Sequence, residues 1–183
     1  MELIGNYAFS QNVKLPQIGM PKNLKTIGEF AFNGCTQISA IEFPESLDSI
    51  GKAAFNKCSA LSPISLPASV TRMGEQIFKE CAALKSAKIH AQLTQIPAET
   101  FAYCEALESV ELPAGIEVIG DAAFRACQGF KTFQWPENLK RIESTAFRGC
   151  SGLENIALPK SLSYAGSEAF RSCKWYRFKI HRR

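Results

Sequence analysis

The chain repeats itself every 23 residues without an insertion. Phenylalanine marks the repeat at Phe9, Phe32, Phe55, Phe78, Phe101, Phe124, Phe147 and Phe170. Three residues behind each of the last seven comes a cysteine: Cys35, Cys58, Cys81, Cys104, Cys127, Cys150 and Cys173. A fixed period of this length means one small structural unit stacked on copies of itself. A single unit cannot hide its own apolar side chains, so stability has to come from the faces between neighbours. The 183 residues hold about eight units, past the three or so that such a stack requires. They are read as one continuous solenoid over residues 1–183. The unbroken period also argues against a catalytic pocket, which would have to interrupt it.

Within one unit the pattern reads Ile38-x-x-Ile41-x-Phe43-Pro44-x-x-Leu47-x-x-Ile50-Gly51-x-x-Ala54-Phe55-x-x-Cys58. The alternation around Ile41 and Phe43 has period two, which predicts a short strand with one buried face. Pro44 ends that strand by removing a backbone donor. Leu47 and Ile50 point inward on the return path. Gly51 serves an unusual backbone angle or a close approach. The three-to-four spacing of Ala54, Phe55 and Cys58 predicts one helical or 3₁₀ turn. The expected fold is an α/β repeat: a curved solenoid with a parallel β-sheet on one face and short helical turns on the other. One unit departs from the pattern, with Ala87 in the strand, His90 for its closing proline and Pro97 for the glycine. It is read as a kink in the stack or a tolerated variant.

Leu-x-x-Ile-x-Leu-Pro followed by Leu-x-x-Ile-Gly-x-x-Ala-Phe-x-x-Cys resembles the BspA-type leucine-rich repeat, over essentially the whole chain. The resemblance implies a curved leucine-rich-repeat solenoid. It also implies a cell-surface or secreted protein of adhesin-like character, with a host matrix protein among the possible partners. Fold alone does not fix function.

Composition narrows the classes further. Hydrophobic residues make up 46% and charged residues 21%, as in an ordinary globular chain. No apolar run approaches the ~18 residues of a membrane span, so membrane insertion is not expected. No signal peptide opens the chain, and the first residues already lie in mid-repeat, as in a piece of a longer protein. Of the 21 basic residues, Arg171, Lys174, Arg177, Lys179, Arg182 and Arg183 cluster after position 170, where no acid occurs. The rest of the chain is close to neutral and lacks the basic stripe that nucleic-acid binding needs. The cysteines fall in one column, where neighbouring coils about 4.8 Å apart hold Cβ atoms too far apart for a disulfide. They are read as free, buried and unreactive. With only His90 and His181 and no C-x-x-C, no metal, cofactor or catalytic residue is assigned.

Two columns carry the candidate contacts. On the outward strand face, Lys85, Glu108, Lys131, Glu154 and Arg177 alternate in sign, with Glu111 in a neighbouring column. Such alternation either holds the parallel register through neighbouring ion pairs or forms a polar recognition strip. On the turn side, Lys79, Arg125, Arg148 and Arg171 directly follow their phenylalanines. They form either a solvated face or a basic stripe for an anionic partner such as a sulfated glycan. Residues 174–183 alternate apolar with basic and are read as a terminal capping strand or a cut edge, with end-to-end self-association as the other possibility. Two functions follow: a non-enzymatic protein- or glycan-binding module, or a structural spacer within a longer array.

Overall fold

The computed structural model describes residues 1–154 and 156–174, and these form a stack of parallel coils. The regular elements are eleven short strands: β1 Leu3–Ile4, β2 Thr26–Ile27, β3 Ser49–Ile50, β4 Ile64–Leu66, β5 Arg72–Met73, β6 Ser86–Ile89, β7 Gln95–Ile96, β8 Ser109–Glu111, β9 Val118–Ile119, β10 Arg141–Ile142 and β11 Tyr164–Ala165. They pair in parallel in three sheets, ordered β1-β2-β3-β5, β11-β10-β9-β7 and β4-β6-β8.

The expected strand face is present as β4, β6 and β8, with Ile64 opposite Ala87 and Ala87 opposite Val110. Its alternation holds in β4, where Ile64 and Leu66 are buried and Ser65 is exposed. The two other sheets lie on the return path, at residues read only as inward-pointing. There a two-residue strand recurs in each coil, with one buried aliphatic in six of the eight, at Ile4, Ile27, Ile50, Ile96, Ile119 and Ile142, while β5 and β11 bury neither residue. Between strand and return path, the proline carbonyl accepts the amide three residues on, as from Leu47 to Pro44 at 3.0 Å. That turn places Leu47 in the core. After β3 the glycine permits a close approach: a Cβ on Gly51 would lie 2.6 Å from the Glu29 amide nitrogen.

The helical turns expected at Ala54–Cys58 do not form, and no helix occurs among the described residues. The fold is a parallel β-solenoid rather than an α/β repeat. The reason lies in the amides. Ala53, Phe55 and Lys57 donate across to Glu75, Ile77 and Lys79 of the next coil at 2.8–2.9 Å. The amides of Asn56 and Cys58, each next along from one of these, turn back to the residue three positions earlier. A helix would require every amide to bond within its own coil. Alternation instead demands left-handed residues, which recur at Ala53 (φ 52°) and Lys57 (φ 61°) and at the equivalent positions of other coils. Each non-glycine residue there costs about 1 kcal/mol, offset by a hydrogen bond to the next coil.

The core is a set of ladders. Phe32, Phe55, Phe78, Phe101, Phe124 and Phe147 are completely buried. Successive rings stack nearly parallel, with centroids 5.1–5.7 Å apart. Phe133 and Trp135 add edge-on contacts to Phe147 at 4.9 and 5.2 Å.

Candidate functional site

All seven cysteines are unbonded and buried. They are more than small apolar fillers. Each thiol donates to the carbonyl of the phenylalanine in the preceding coil, for example Cys58 to Phe32 at 3.2 Å and Cys104 to Phe78 at 3.1 Å. The same carbonyl accepts the amide of its own coil's cysteine, as Phe55 does from Cys58 at 3.2 Å. A thiol is the small apolar side chain that also supplies a weak donor for the carbonyl's second lone pair. Burial pushes Cys58 and Cys104 up to about 12 and raises Cys81, Cys127 and Cys150 strongly. Such thiols are poor nucleophiles at neutral pH. Among the described residues, no three histidine, cysteine, aspartate or glutamate side chains come together to hold a metal ion. No helix there is long and apolar enough to cross a membrane.

The strand-face column is held in register by the backbone. The Glu108 amide donates to the Lys85 carbonyl at 2.9 Å, and the Glu154 amide to the Lys131 carbonyl at 3.0 Å. Lys85, Glu108, Glu111 and Lys131 are all exposed. The side chains do not form the neighbour-to-neighbour ladder that their alternating signs allow. Among the described residues no ion pair joins Lys85 to Glu108 or Glu108 to Lys131. Glu111 pairs instead with Lys88 at 3.2 Å, and Glu154 with Lys174 at 2.9 Å. The Lys174 ammonium holds the Glu154 carboxyl below its ordinary range. Arg177, with residues 175–183 of the proposed capping strand, lies outside the described residues.

On the turn side the period brings Lys79, Arg125, Arg148 and Arg171 into one column, but acids interleave with them. Glu168 takes both Arg148, at 2.7 Å, and Arg171. Glu99 takes Lys79, and Arg125 lies 5.5 Å over the Tyr103 ring. Glu99 and Glu168 stand 20 residues after Lys79 and Arg148. They occupy the left-handed position of the turn. Extending the count to that position would have revealed both in the sequence.

The surface is concave elsewhere. A groove of about 520 Å³ on the strand side has a floor of Ile41, Phe43, Pro67 and Ala68, with Glu42, Glu45, Ser65 and His90 at its rim. A trough of about 340 Å³ adjoins it across Phe43, reaching Met20 and Lys22. A separate cleft of about 340 Å³ on the return side lies between Thr71–Met73 and Gln92–Pro97. His90 and Pro97 were legible as departures from the repeat. The groove also needs the short side chains of Ser65 and Ala68, and a reading of single positions does not connect them.

The sequence matches the profile of the BspA type leucine rich repeat region in six copies, over residues 2–131 and 117–183. No curated protein matches it significantly. Among solved structures, a leucine-rich repeat protein from Bacteroides ovatus superposes with a TM-score of 0.76 at 31% identity, over 94% of this chain and 50% of that one. A leucine-rich repeat protein from Eubacterium ventriosum gives 0.84 at 25% identity, over 92% of this chain and 45% of that one. A leucine rich cell surface protein from Faecalibacterium prausnitzii, at 23% identity, shares the fold with a TM-score of 0.65, over 97% of this chain and 65% of that one. The chain thus spans about half the length of the first two.

Proposed function

The chain belongs to the BspA-type leucine-rich repeat family, and from that premise we propose that it is a non-enzymatic binding module of a cell-surface protein. Its partner is a protein or a glycan, engaged through the strand face. The observation that carries this reading is the state of Lys85, Glu108 and Lys131. The backbone ties Glu108 to Lys85 and Glu154 to Lys131 across neighbouring coils, yet the charges of Lys85, Glu108 and Lys131 are exposed and not spent on one another. A row of charges that served only the register would pair internally. A row presented on a rigid backbone loses little conformational entropy when a partner arrives. Surface placement is supported by family membership and by the cell-surface protein of Faecalibacterium prausnitzii that shares the fold.

The test is binding to immobilised fibronectin, fibrinogen and heparin across a salt series. Saturable binding to a matrix protein, lost in the charge-reversed Lys85→Glu, Lys131→Glu variant while the circular dichroism spectrum stays unchanged, is the expected result. Reversing rim charges of this kind slows association and alters its salt dependence. Equal affinity in the variant would move the site off the strand face. The turn column offers an internal comparison. Glu168→Gln frees two guanidinium groups and tightens heparin binding if that face is the one used. Absence of binding to all three would favour a spacer segment.

A further inference from the structure

We propose that the return side of the solenoid is hinged at one joint, between β5 and β7, and that the joint opens on that side only. At each other joint along that side at least three main-chain bonds tie neighbouring coils. Between β2 and β3, for example, Asp48 and Ser49 donate to Lys25, and Gly51 donates to Ile27 at 2.8 Å. The residue after the return strand repeats that last bond at Gly28, Gly74, Gly120, Glu143 and Gly166. Position 97 is the exception, because proline has no N–H to give. Among the described residues the Thr94 and Gln95 amides also make no bond to Thr71. The return-side ladder therefore stops at β5 and restarts at β7.

The corner has changed with it. Leu93 bonds back two residues to Ala91 at 3.0 Å, where other coils close a wider turn on proline. Ala91 is buried, while its counterpart Ala68 is exposed. Leu93 is only half-buried, whereas Leu47, Val70, Ile116 and Leu139 are fully buried at the same repeat position. Leu93 and Pro97 both line the cleft on this side.

The other two sides of this joint are intact. Gln76, Phe78 and Glu80 donate to Ala98, Thr100 and Ala102 at 2.8–3.0 Å. β4 pairs with β6 over three residues. Two ladders intact across the joint and one severed ladder define an axis. The coils before and after the joint rock about the line through the turn side and the strand sheet, and the cleft widens or narrows. A partner lying along the strand face across the joint would favour one setting, although the hinge does not depend on any partner.

The test is a distance distribution between nitroxide labels by double electron–electron resonance, read on two sides of the molecule. Lys25→Cys with Lys140→Cys spans the joint on the return side, and Lys57→Cys with Ser172→Cys spans it on the turn side. Each pair occupies one repeat position, and the native thiols are buried. In the wild-type background the return-side distribution is expected to be about twice as broad as the turn-side one, as for collective motion at a hinge. Pro97→Gly restores the missing donor and should narrow the return-side pair alone. Should that variant fold poorly, Pro97→Ala serves, since Glu143 shows that a Cβ is accepted at this repeat position while its amide bonds to Ile119 at 2.9 Å. Equal widths on the two sides, or a return-side width unchanged by both variants, would overturn the hinge.

Discussion

Between pH 8.5 and 10 the protein is expected to lose much of its stability. The cause is the cysteine column. In an unfolded chain a thiol titrates near 8.5. In the folded chain burial moves Cys58 and Cys104 up to about 12, and neighbouring thiols in the column push Cys58 further the same way. Cys81, Cys127 and Cys150 are raised strongly for the same reasons. Because the folded values are raised, the unfolded chain releases its protons first. The stability held by each thiol is complete below about 8.5 and is lost as the pH climbs toward the folded values. At pH 9.5 the loss is about 1 kcal/mol per thiol. The five deeply buried thiols together then remove a large share of the whole stability of a typical domain. Urea denaturation midpoints measured from pH 7 to 10 should fall steeply above 8.5. In Cys104→Ala the slope should be shallower by about 1.4 kcal/mol per pH unit. A midpoint that holds steady to pH 10 would mean that the thiols ionise inside the folded stack.

Truncating one ring of the aromatic ladder should cost nearly as much. Phe101 is fully buried. Its ring stacks on Phe78 at 5.7 Å and on Phe124 at 5.4 Å. Phe101→Ala removes that burial and leaves a cavity, a loss of about 3–5 kcal/mol. In a stack where each coil touches only its neighbours, the damage falls on the two interfaces that hold the halves together. Denaturation of the variant is therefore expected to split into two transitions. Phe101→Leu, which keeps most of the volume, should lose less and stay in one step. A loss under about 1 kcal/mol for Phe101→Ala would show that the ladder is not the energetic core.

The reversal in the turn region shows where pattern reading stops. The spacing of Ala54, Phe55 and Cys58 is compatible with a helical turn because both arrangements put those three side chains inside. Side-chain burial is thus the same in either case. What separates them is the destination of the Ala53, Phe55 and Lys57 amides, and a spacing of apolar residues carries no information about an amide in another coil. The return-path strands were hidden for a similar reason. Two residues are too few for an alternation, so Ser49–Ile50 reads as a single inward aliphatic.

The charged columns divide along the same line. The period alone places Lys85, Glu108 and Lys131 on one face and Arg125, Arg148 and Arg171 on another, because equal repeat positions stack. It cannot tell which charges meet. Glu111 finds Lys88, and Glu168 takes two arginines, while Lys85 and Glu108 stay apart. Those choices depend on side-chain reach and direction across coils. His90 and Pro97 were visible as misfits, yet their consequence was not, since a missing N–H matters only when the carbonyl it should meet is known.

By itself the sequence determined the stack, its period, the Leu/Ile, Phe and Cys columns and the faces on which the charges lie, because strict repetition converts position in the chain into position in space. The tertiary structure decided which backbone groups pair between coils, which charges neutralise each other and where the ladder is severed. Those are contacts between residues some 20 to 26 positions apart, and their geometry exists only once neighbouring coils have closed on one another.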